Sequence, residues 1–127
     1  MKLLFENWRG YLNESDDVHK KVVSSVRKGI IAAYTHGENK RAMLRGLKSE
    51  FPSYSEEKLL THYESVILPR VKDIVNKVPV RVAEEEARSH YDPNVQPYGE
   101  VVLEPEDSNS RFVIMHEIIH AIDDKLA

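Results

Sequence analysis

The chain has 127 residues, 41% of them apolar and 31% charged, with five Gly, six Pro, no Cys and a formal net charge of −3. Those figures fit one compact domain over residues 1–127 and exclude collagen-like, disulfide-scaffold and low-complexity chains. They also exclude a thiolate zinc cage, an iron–sulfur cluster and a cysteine nucleophile, so a bound metal must be held by His, Asp, Glu or water.

Helical patterns fill residues 1–78. Leu3, Leu4, Phe5, Trp8, Tyr11 and Leu12 read as a short amphipathic helix that docks on the core, and Glu6, Asn7 and Arg9 interrupt its apolar run. No stretch approaches the roughly 20 apolar residues of a membrane span, so no membrane partner and a cytoplasmic setting are expected. Val18, Val22, Val23, Val26, Ile30, Ile31 and Tyr34 recur at three and four residues, which predicts a second helix capped by Ser15 and ended by Gly37. Met43, Leu44, Leu47 and Phe51 form a shorter stripe ended by Pro52. A further helix starts after Ser55, with Glu56 and Glu57 in its first turn; Pro69 kinks or restarts it, and its apolar face continues through Val71, Ile74 and Val75 to about Val78.

The pattern changes at Pro79. Val80-Arg81-Val82 alternates, and residues 99–104 read as a short strand between Gly99 and Pro105. Residues 89–98, with Pro93, Asn94 and Pro97, have turn chemistry. Glu84-Glu85-Glu86 reads as a solvated turn, since no EF-hand spacing surrounds it. Asp107, Ser108, Asn109 and Ser110 are all candidate caps for a last helix from about Arg111 towards Ala127. Charge is divided between the two parts. Residues 19–49 hold eight Lys and Arg against Glu38 alone, while residues 82–127 are dominated by Asp and Glu. The basic stretch reads as the solvent coat of amphipathic helices in preference to a nucleic-acid surface, because Tyr34 is the only aromatic residue among its bases.

The last helix carries His116-Glu117-Ile118-Ile119-His120. Residues at i and i+4 lie one turn apart on one helix face, so the two imidazoles can converge on one ion. The Glu between them projects beside that ion and can take the proton of a bound water as it attacks a carbonyl. On a helical wheel Phe112, Met115, Ile118, Ile119, Ile122 and Leu126 occupy one broad arc, with His116, Glu117, His120 and Asp124 together outside it. The helix therefore reads as largely buried, with polar groups that need partners. A core reading also fits: two hydrogen-bonded histidines, with Glu117 paired to Arg41 or Arg45.

The run from Val113 to Asp124 resembles the metal helix of the zincin metallopeptidases, and its Asp123-Asp124 is similar to the neprilysin-like branch. Tyr91-Asp92-Pro93 followed by residues 98–103 is similar to the tyrosine-containing turn and rim strand ahead of that helix in small zincins. The resemblance spans residues 79–127. It implies zinc as cofactor, His116 and His120 as ligands, Glu117 as general base, a peptide or protein substrate, and a rim strand at residues 99–104 to which that substrate adds. Zincins take a third ligand, usually downstream, where this sequence has seven residues after His120. Asp123, Asp124, His90, Asp92, Tyr91, a partner chain, water, or a longer natural protein all stay open, as does homo-oligomerisation. Residues 1–9 are similar to the start of proteins encoded by large tailed bacteriophages, which would place the chain in the host cytoplasm or the virion.

The expected fold is α+β and mostly helical, an N-terminal helical bundle packed on a small zincin-like half that ends in the metal helix. The expected function is zinc-dependent peptide hydrolysis. The alternative is a non-catalytic zincin-like or phage structural protein whose metal is vestigial or stabilising.

Overall fold

The computed structural model describes residues 2–84 and 88–127, with side chains of the first helix from Asp17 onward. Among the described residues the architecture is α+β and mostly helical: four α-helical runs, a short 3-10 turn at Pro105–Asp107 and one small mixed sheet. Helix α1 spans Lys2–His36 without a break, replacing the two helices expected there. Ser15 lies inside it. The first Pro is at 52, and nothing between Tyr11 and Asp17 forbids helical backbone. The docking of Phe5, Trp8 and Tyr11 lies outside the described side chains, and Glu85 and Glu86 lie outside the described residues.

Gly37 does end α1, by a close approach. Its φ is −115°, open to any residue, but a Cβ there would sit 2.9 Å from the Cα of Ala33. Helix α2 (Glu38–Glu50) folds back along α1 and places Met43, Leu44 and Leu47 against the core. Helix α3 (Glu56–His62) is capped by Ser55, whose hydroxyl accepts from the Lys58 amide at 3.1 Å. A π-helical turn, Tyr63–Ile67, joins α3 to α4 (Leu68–Lys77). Pro69 sits in the first turn of α4. Its ring crowds the carbonyl four residues back, and the turn before it widens to five residues.

Strands β1 (Val80–Val82), β2 (His90–Asp92) and β3 (Glu100–Leu103) form a sheet in the order β1-β3-β2. β1 runs parallel to β3, pairing Val80 with Val101, and β2 runs antiparallel to it, pairing Tyr91 with Val101. Part of the expected turn at residues 89–98 is thus a strand. Its three residues carry no alternation long enough to register as one. The larger correction concerns residues 99–104. They contain the central strand, with both hydrogen-bonding edges taken by β1 and β2, so no substrate can add to it.

Helix α5 (Arg111–Leu126) closes the core, capped by Ser110, whose hydroxyl accepts from the Val113 amide. Ile114, Ile118, Ala121 and Ile122 pack with Val101 and Leu103 of β3, Val71, Ile74 and Val75 of α4, and Val26 and Ile30 of α1. Tyr63 is fully buried in the same core and donates to the Tyr34 carbonyl at 2.5 Å. Among the described residues no ion pair joins the basic stretch to the acidic one. Apolar packing joins them, with His19 donating to the Ser108 carbonyl and Arg111 to Ser25 at 3.0 Å. Among the described residues no helix is long and apolar enough to cross a membrane.

Ile118 is fully buried, so Ile118→Ala leaves a void under α5. The expected cost is about 2–5 kcal/mol in urea unfolding, from lost transfer energy and the cavity together.

Candidate metal centre

Helix α5 points its residues outward by default of what it buries. With Ile114, Ile118, Ala121 and Ile122 turned into the core, His116 and His120 emerge on the exposed side and Glu117 sits between the two faces, 8% exposed. The expected wheel was rotated. Phe112 is 72% and Met115 38% exposed, while Ile114 and Ala121, outside the expected arc, are fully buried. The helix is apolar nearly all round, so periodicity alone could not choose the face that tertiary packing selects. The imidazoles are therefore solvent-accessible, and burial does not oblige them to find partners.

Their geometry is nonetheless specific. The two Nε2 atoms lie 3.1 Å apart, with the rings at 90°. For metal–nitrogen bonds of about 2.05 Å, that separation corresponds to an N–metal–N angle of about 98°, between the octahedral and tetrahedral values. The same distance suits an N–H···N hydrogen bond when one ring donates. A carboxylate oxygen of Glu117 completes a group whose three donor atoms all lie within 4.8 Å of one another. Among the described residues Glu117 has no hydrogen bond or ion pair, and Arg41 is engaged with Glu38. The two imidazole nitrogens fit as ligands of a divalent ion such as zinc, with that carboxylate beside them.

Two clefts flank the group. One, of about 610 Å³, is lined by Ser89, His90, Tyr91, Pro93, Glu117, His120, Asp123 and Asp124; the other, of about 400 Å³, includes Glu104, Asp107, Phe112, His116 and Glu117. Glu117 opens onto both. The other candidate ligands stand apart from the three-residue group. His90 faces the larger cleft but commits Nδ1 to the Arg88 carbonyl at 2.8 Å. Asp92 accepts from the Asn94 amide. Asp123 is exposed on the cleft wall, and Asp124 pairs with Lys125 at 3.1 Å and accepts from Tyr91 at 3.1 Å. Lys125, and after it Tyr91, holds the Asp124 carboxyl below its ordinary pKa.

Of the wall residues, Ser89 and Glu104 carried no sequence signal of their own. Ser89 donates to Asp107 at 2.7 Å and accepts from the Glu104 amide at 2.9 Å, tying the strand before the cleft to the turn before α5. Burial, and then Asp107 and Glu106 nearby, raises the Glu104 pKa. Tyr91 is seated over Gly99, whose φ is +78° and where a Cβ would lie 2.2 Å from the Tyr91 hydroxyl oxygen. The adjacent Tyr98 donates to Asp73 of α4.

No family model, curated protein or solved structure matches this chain.

Gly99→Ala should cost well over 1 kcal/mol, from the left-handed backbone and the displaced Tyr91 ring, read by urea unfolding. Burial, reinforced by Asp124, pushes Tyr91 from 10.0 up to about 12, and burial beside Tyr34 does the same to Tyr63. The folded chain keeps these protons where the unfolded chain releases them. Their contribution is complete below pH 10 and disappears as pH rises from 10 to about 12. The urea midpoint should fall across that interval, less steeply in Tyr91→Phe.

Proposed function

We propose that the chain is a zincin-like metallopeptidase in which His116 and His120 hold a zinc ion and Glu117 acts as general base. The observation that carries this reading is the Glu117 carboxylate, open to both clefts, beside two Nε2 atoms separated by a metal-chelating distance. When bound, zinc supplies a coordinated water of pKa near 7 and a Lewis acid for the substrate carbonyl. Glu117 opens onto both clefts, so its carboxylate can accept the proton of the attacking water and return it to the departing amine. The resemblance of residues 113–124 to the zincin helix supports the same assignment.

The substrate path differs from the one expected of a rim strand. An extended peptide is assigned to the larger cleft, along the outer edge of β2, where His90 and Tyr91 face Glu117 and His120. The reading includes a cytoplasmic setting, tested by fractionating cells that express the tagged chain.

A stabilising, non-catalytic metal is the second reading, favoured by the occupied edges of β3, which remove the rim that a zincin presents. Glu117→Gln separates the two. The peptidase reading expects zinc content unchanged by elemental analysis and cleavage of a peptide library reduced at least about 100-fold. His120→Ala should lose the zinc. A chelator that lowers the unfolding temperature sharply, with no hydrolysis at any stage, would instead establish the stabilising role.

A further inference from the structure

Resting on the metal assignment above, we infer that a second copy of this chain completes the coordination of the ion through its own His116 and His120, forming a zinc-bridged dimer in which the catalytic position is closed. Within the described residues the chain brings only His116, Glu117 and His120 to the ion, and the two imidazoles belong to an exposed helix face. A site closed for structural purposes needs four protein ligands. Two nitrogen pairs related by a two-fold axis through the ion supply four identical donors, and cyclic two-fold pairing is the commonest closed symmetry of soluble assemblies.

The surface around the pair fits that occupant. Phe112, one turn before His116, stacks on its ring with centroids 6.2 Å apart and an interplanar angle of 18°, yet is 72% exposed. Met115 beside it is 38% exposed. A large aromatic and a methionine standing in water next to a chelating pair gain by burial when a second helix approaches the same ion. The dimer leaves no coordination position for water, so hydrolysis belongs to the single chain and falls, per chain, as protein concentration rises.

Sedimentation velocity of the full chain, chelator-treated and then titrated with zinc alone, tests this alongside elemental analysis. The expected result is a twofold rise in mass at one zinc per two chains, reversed by chelator and absent in His120→Ala. Phe112→Asp changes an exposed side chain, should bind zinc, and should weaken the dimer at least tenfold. A zinc-loaded chain that remains single at one zinc per chain overturns the dimer and leaves the metal site standing. A Phe112→Asp protein that dimerises as tightly as the parent overturns the assigned surface. Failure to bind zinc at all overturns both the dimer and the metal assignment.

Discussion

Burial of one face of α5 against β3, α4 and α1 is the constraint from which the rest of the molecule takes its orientation. Ile114, Ile118, Ala121 and Ile122 are withdrawn from water to within about 1% of full burial. At roughly 25 cal/mol per Å² of apolar surface, burial of each large aliphatic among them is worth about 1.5–3 kcal/mol, far more than any exposed polar contact on the opposite face. That contest settles the helix rotation. Once it is settled, His116 and His120 must emerge side by side, with Glu117 at the border between the two faces.

The centre is thus polarised in a particular way. Its imidazoles are exposed, whereas Glu117 is 8% exposed and reaches solvent through the two clefts. Acidic walls on either side, Glu104 and Asp107 at one end and Asp123 and Asp124 at the other, bias the surroundings towards positive ligands.

How much of this was legible in the sequence depended on whether local chemistry or tertiary packing decided it. The i, i+4 histidines placed themselves, because helical spacing is a local property. So did the Ser55 and Ser110 caps, the stop at Pro52 and the disturbance around Pro69, each a consequence of a neighbouring residue's covalent form. The buried arc of α5 was misjudged because a helix with apolar residues nearly all round carries no preferred direction until its neighbours are known. The break expected at Ser15 failed for the reverse reason: a good cap residue does not end a helix when nothing beside it resists continuing. β2 escaped notice because three residues held by a partner strand need no pattern of their own. Residues 99–104 were read correctly as extended and wrongly as marginal; Val101, Val102 and Leu103 in succession are the mark of a strand covered on both faces, where alternation disappears.

The seating of Tyr91 on Gly99 reaches beyond the cleft wall. Glycine is required at 99 for two separable reasons, a positive φ and the phenol ring resting on its Cα, and only the second depends on position 91. In a background where residue 91 is small, alanine at 99 would carry the dihedral strain alone, on the order of 1 kcal/mol. Substitutions at the two sites are therefore epistatic, and drift at 91 widens the set of residues tolerated at 99 while removing the hydroxyl that leans on Asp124.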